Sequence, residues 1–282
     1  MLITILAILF LPPLFFYIFI TGMAVKIDPH GEKLTENMPT EIFWHIRAYL
    51  SYLLYYLIYL FVVPPVYIYK GYLQRKWWDE KGLRPASPQK SPRAKKTIIL
   101  IHGFMSTPIH WFIFKKRLER LLGADEGVRV ITFGYNSLTG SLDKWADDLE
   151  KKTRLLNTDE VVLAGHSLGG LISIWAASNI AKSADVFPVK VVSFGTPFYG
   201  TKMAMFSISA SGKRLQPGMP QIEKTEGILS DGGIDLTGYW SLLDRIIIPH
   251  SSAAPKTGKS VEMKGICHPG YFFMNPDIPE FH

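Results

Sequence analysis

The stretch VVLAGHSLGG, residues 161–170, decides the reading of this chain. An apolar run ends at Gly165, and a helical pattern begins directly after Ser167. Gly-x-Ser-x-Gly at such a strand-to-helix turn lets a serine take a strained backbone, because glycine on either side leaves room where Cβ atoms would collide. The turn lifts the hydroxyl above the sheet and aims a helix N-terminus at it, which favours developing negative charge. Ser167 is the expected nucleophile, and Gly165, His166 and Gly169 form its elbow. His166 is expected to pack inside the turn rather than accept the serine proton.

Outward from this stretch, short apolar runs alternate with amphipathic ones. TIILI (97–101), VRVITF (128–133), EVVLAG (160–165), VKVVSF (189–194) and IDLTGYW (234–240) read as buried strands. Residues 108–122, 142–156 and 168–182 carry helical spacing. The alternation predicts an α/β domain over 97–282, a mostly parallel sheet with helices on both faces. Residues 202–230, with Met203, Met205, Phe206 and Met219, read as a surface excursion inserted between strands.

IHGFMST, residues 101–107, follows the first of these strands. A His-Gly pair there holds a backbone N–H toward an acyl oxyanion. Phe104 is the expected donor, together with the N–H of Leu168. With the nucleophile on such an elbow, the chain order is Ser, acid, His. His102 precedes the serine and is therefore read as structural. Asp244 is the expected acid, because catalytic loops lie at strand C-termini. Its rivals are less well placed, Asp231 in a glycine-rich turn and Asp235 at a strand start. His268 is the expected base. His250 lies too soon after Asp244 for the final strand expected between acid and base. In this scheme His268 takes the Ser167 proton and Asp244 orients the imidazole.

On the segments IHGF (101–104), GHSLGG (165–170), SFGTPFYGT (193–201), LDRIIIPHSSA (243–253) and CHPG (267–270), residues 97–282 resemble the lipase and esterase branch of the α/β-hydrolase superfamily. The likeness is greatest to its triacylglycerol-lipase-like and GPI-inositol-deacylase-like members. The resemblance implies ester hydrolysis without an obligatory cofactor. A histidine usually follows the Gly-Thr-Pro segment in that family; here Phe198 takes its place.

The N-terminal part reads differently. Residues 1–25 carry no charged side chain and, at about 1.5 Å per residue, are long enough to cross a hydrocarbon core of about 30 Å. The rival, a cleaved signal peptide, lacks its basic n-region here. Residues 48–69 form a second uncharged segment, tyrosine-rich enough to be interfacial instead of spanning. The expected organisation is thus a membrane anchor over 1–72, a basic Pro/Ser/Lys linker over 73–96, and the catalytic domain.

The net charge is +7, and nine Lys or Arg fall between residues 70 and 96 against only Asp79 and Glu80. Directly after an apolar segment, that cluster suits anionic lipid headgroups or a solvated linker. No groove-reading motif supports a nucleic-acid partner. The positive-inside rule puts the cluster and the catalytic domain on the cytoplasmic side of the inner membrane, although Lys26 after the first segment argues the other way. The single cysteine, Cys267, excludes an intrachain disulfide and is expected to be a buried strand residue.

A membrane-anchored hydrolase of hydrophobic or lipid esters is therefore expected. An acyltransferase using the same acyl-enzyme and a non-catalytic membrane scaffold are the other classes. An ion channel is disfavoured, because two apolar segments without internal charges offer no ion path.

Overall fold

In a computed structural model, residues 2–28, 38–61, 93–123, 127–182 and 188–282 are described. Six strands form one sheet: β1 (Ala94–Ile101), β2 (Val128–Phe133), β3 (Thr158–His166), β4 (Val189–Phe194), β5 (Asp235–Trp240) and β6 (Lys259–Glu262). Their order is β2-β1-β3-β4-β5-β6, and every neighbouring pair is parallel. The register sets Ile101 of β1 against Gly165 of β3, and His166 against Phe194 of β4. Strand ends that bear loops therefore converge at one edge.

Continuous apolar runs form these strands because both faces of the sheet are covered. Along β1, Ile99 and Ile101 enter one core while Ile98 and Leu100 enter the other. Helices α4 (Leu142–Arg154), α5 (Leu168–Ala181) and α6 (Pro220–Ser230) supply the first core with Trp145, Leu171, Ile222 and others. Helix α3 (Phe112–Leu121) and the C-terminal turns supply the second, with Phe114, Tyr271, Phe272 and Phe281. Helix α5 is apolar around most of its circumference because it lies at the centre of the first core.

Several boundaries differ from the sequence reading. The basic segment expected to run to residue 96 ends earlier, since β1 begins at Ala94; Lys96 donates its backbone N–H to Gly127 and sits 3.8 Å from Glu160. β6 (KSVE) was not expected: as an edge strand with mostly exposed side chains, it carries no apolar signal. The 202–230 excursion is not one unit. Its second half is α6, which buries Ile222, Thr225 and Leu229 at helical spacing and accepts the Trp175 indole N–H at Thr225 (2.9 Å). Cys267 is buried as expected, but it precedes a 3-10 turn (His268–Phe272) rather than lying in a strand.

Two helices precede the domain, α1 (Leu2–Ile27) and α2 (Met38–Phe61). Over Ala7–Ile27 α1 has a mean hydropathy of 2.1 and is long and apolar enough to cross a membrane, a property it shares with signal sequences. The second apolar segment, placed at 48–69, belongs to a helix that starts ten residues earlier and takes in Glu41, His45 and Arg47. A carboxylate in the first turn suits the positive end of the helix, which explains the earlier start. Residues 62–69, and nearly all of the basic segment after them, lie outside the described residues. Tyr17, Ile20 and Ala24 of α1 pack with Ala48 and Tyr52 of α2, and the same cluster takes in Met203, Leu243, Ile248 and Cys267 of the domain.

Candidate active site

Ser167 sits between β3 and α5 with φ 54° and ψ −122°, a left-handed conformation for a residue with a Cβ. The surroundings hold it there. Its N–H donates to Phe194 (2.9 Å), and its carbonyl accepts from Gly170 (2.9 Å) and from the Thr196 hydroxyl (3.2 Å). The glycines are required by close backbone approach. A Cβ on Gly165 would strike the Gly169 carbonyl, and one on Gly169 would lie 2.5 Å from the carbonyl oxygens of Ile101 and His102.

Asp244 follows the C-terminal end of β5 and is 1% exposed. One carboxylate oxygen accepts the N–H groups of Ile246 (3.1 Å) and Ile247 (3.3 Å); the other lies 2.8 Å from His268 Nδ1. With Nδ1 donating, His268 Nε2 is the acceptor nitrogen. Asp235 is exposed at the opposite end of β5, in register with Lys190 at the start of β4, and Asp231 is exposed at the end of α6.

His166 has a part its sequence position does not reveal. Its Nε2 lies 2.9 Å from the His268 carbonyl, so this nitrogen carries the proton and donates. The residue beside Ser167 thus holds the backbone of His268. Burial, followed by the neighbouring His268, drives the His166 pKa well below its usual value and keeps the ring neutral.

Gly195, read from sequence only as part of Gly-Thr-Pro, is the other residue whose role was missed. At φ 53°, a Cβ here would stand 2.7 Å from Asp244 Oδ2 and 3.4 Å from His268 Nδ1. The end of β4 passes against Asp244 and His268, and no local sequence signal records that approach. Gly195→Ala is expected to lower ester turnover at least about 100-fold by displacing the carboxylate, and to destabilise the domain by about 2 kcal/mol through backbone strain. Steady-state kinetics with thermal melting checks both.

Leu168 follows Ser167 directly, and the loop that carries Phe104 approaches it through Gly103. Leu168 is the first residue of α5, so its N–H has no partner within that helix. Phe104 follows Gly103, where a Cβ would come within 2.9 Å of Ser167 Cβ. Met105 has φ 52°, and its N–H donates to Ser137 Oγ (3.1 Å).

The other sequence candidates point elsewhere. His102 is fully buried, bonded through Nδ1 to the Gly103 carbonyl (2.9 Å) and stacked on Tyr135 at 4.3 Å. Burial pushes the Cys267 thiol up to about 12, so it stays protonated near neutrality. Among the described residues no cluster of His, Cys, Asp or Glu is arranged to hold a metal ion.

Burial also lowers His102 and His110, each to about 4. The unfolded chain takes up these protons near pH 6.5, whereas the folded chain does so only near pH 4. Stability from these sites is complete above pH 6.5 and is lost as pH falls toward 4. Acidification from pH 7 to 5 is expected to cost roughly 2 kcal/mol per histidine. A melting temperature that stays flat across that range contradicts the assignment.

Residues 104–214 match the family model of the class 3 lipases. No curated protein sequence matches the chain. Similar solved structures include a gene product of Listeria innocua (18% identity, TM-score 0.46, covering 67% of this chain and 91% of that one). Another is a Bacillus licheniformis lipase (14%, 0.46, 67% and 91%). A bacterial membrane phospholipase A is a third (17%, 0.40, 78% and 93%). The parallel sheet and the serine elbow at the end of β3 are those of the α/β-hydrolase fold, and the chain resembles its lipase and esterase branch.

Proposed function

We propose that the chain is a membrane-anchored serine hydrolase that cleaves carboxylic esters with hydrophobic acyl chains, using Ser167, His268 and Asp244. The observation that carries this reading is the contact of His268 with the buried Asp244, at the same sheet edge as a serine held on a strained elbow. The match to the class 3 lipase model supports the substrate class.

In this mechanism His268 Nε2 accepts the Ser167 proton as Oγ attacks the ester carbonyl. The backbone N–H groups of Phe104 and Leu168 hold the resulting oxyanion. Collapse expels the alcohol, which takes the proton from His268 and leaves an acyl-Ser167 ester. Water, deprotonated by the same imidazole, attacks that ester; the acid departs and Ser167 regains its proton. Asp244 stabilises the imidazolium throughout.

Residues 1–72 form the anchor in this reading, joined to the catalytic domain by the basic segment that ends before β1 at Ala94. Keeping the enzyme at the bilayer raises the local concentration of a poorly soluble ester. The basic segment belongs at the cytoplasmic face; its cleavage by protease added to intact cells would overturn that placement. The central test uses purified full-length protein and p-nitrophenyl esters of graded chain length. Release of free acid is expected, and a folded protein inert at every length would sink the proposal. Transfer of the acyl group to added glycerol in preference to water would make it an acyltransferase.

A further inference from the structure

One face of α2 carries Trp44, Ala48, Tyr52 and Tyr55, spaced so that they stack along the helix. That face is turned toward the catalytic loops. The Tyr55 hydroxyl donates to the Met105 carbonyl (2.8 Å), and its ring stacks on His110 at 4.4 Å. The Ala48 carbonyl accepts the thiol of Cys267 at 3.7 Å, one residue before His268. The Trp44 ring packs against Gly265, where a Cβ would collide with it. Tyr52 packs in the cluster that holds Leu243 and Ile248, on either side of Asp244. Ile42, Ile46, Leu50 and Leu54 form a separate apolar stripe that remains exposed.

A helix that only tethered an enzyme would have no reason to reach three loops of its active site. We infer that α2 is a positioning element of the catalytic centre, with Tyr55 fixing the oxyanion loop through the Met105 carbonyl and Trp44 and Ala48 bracing the segment that carries His268. The inference rests on the roles proposed above for Phe104 and His268. Met105 explains why the loop needs such support. A residue with a Cβ keeps φ 52° only when its surroundings over-determine it. Here Ser137 takes its N–H and Tyr55 holds its carbonyl. Without the second bond, the strained residue can relax and carry the neighbouring Phe104 N–H away from the oxyanion.

Tyr55→Phe in the full-length protein isolates this effect, since it keeps the ring on His110 and removes only the hydroxyl. Two measurements in detergent micelles decide the matter. Amide hydrogen exchange over residues 102–107 is expected to quicken about tenfold. For the soluble ester p-nitrophenyl butyrate, kcat per fluorophosphonate-titrated site is expected to fall about tenfold with KM unchanged. Counting competent sites removes any contribution from unfolded protein, and a soluble ester removes any contribution from membrane delivery. Leu50→Ala, on the exposed stripe, should leave both measurements as in wild type. Unchanged exchange in Tyr55→Phe overturns the inference whatever the activity does, and so does faster exchange with kcat within twofold of wild type. If wild-type protein reacts with neither ester nor probe, the hydrolase reading falls and the exchange measurement alone decides the place of α2.

Discussion

Ser167→Ala is expected to reduce ester hydrolysis about 10⁶-fold and to abolish labelling by a fluorophosphonate probe. The magnitude follows from the loss of the only group proposed to form the covalent intermediate. What remains is the catalysis that binding and oxyanion donors provide without a nucleophile. The substitution is mild for the fold. The bonds that hold the elbow use the Ser167 N–H and carbonyl, and alanine keeps both. Alanine also carries the same Cβ at φ 54°, so the strain is unchanged. Folding and melting should therefore match wild type while activity disappears. Labelling that persists in the variant, at any residue, would show that the nucleophile lies elsewhere.

Asp244→Asn is expected to lower kcat about 10⁴-fold. The carboxamide oxygen can still accept the N–H groups of Ile246 and Ile247, which use one side of the carboxylate only. The other side then presents an NH₂ group to His268 Nδ1, where the native oxygen sits at 2.8 Å. Two donors cannot face each other, so the imidazole moves its proton to Nε2 and loses the acceptor lone pair that Ser167 requires. Fluorophosphonate labelling should slow in parallel, since it uses the same base. Kinetics on purified variant protein decides the matter, and a loss of less than tenfold would remove Asp244 from the proposed role. The buried position of Asp244 makes this substitution more informative than truncation to alanine, which would also leave two N–H groups unpartnered.

Much of the sheet is legible in the sequence. Five of the six strands announce themselves as apolar runs, because a parallel sheet covered on both faces asks for apolar residues at every position. β6 escaped notice for the converse reason, since its exposed side chains are not selected for apolarity. The elbow was legible because it is local: the glycines that make room for Ser167, and the helix after it, lie within a few residues. Asp244 and His268 could be nominated by chain order and by the end of the sheet they should occupy. The geometry of their contact across 24 residues of chain, with Nδ1 on one carboxylate oxygen and two backbone N–H groups on the other, could not.

His166 meets His268 across 102 residues, Tyr55 meets Met105 across 50, and Cys267 meets Ala48 across 219. No periodicity or spacing encodes pairings of that kind. Sequence by itself was enough for a strand–Ser167–helix turn, a parallel α/β domain and an apolar N-terminal helix, because those depend on residue type and short-range pattern. Tertiary structure decided that Gly195 passes beside Asp244, that His166 holds the backbone of His268, and that α2 reaches the Met105 carbonyl. The physical reason is that a parallel sheet gathers the ends of distant strands at one edge, so the neighbours of Ser167 are chosen by strand order and register.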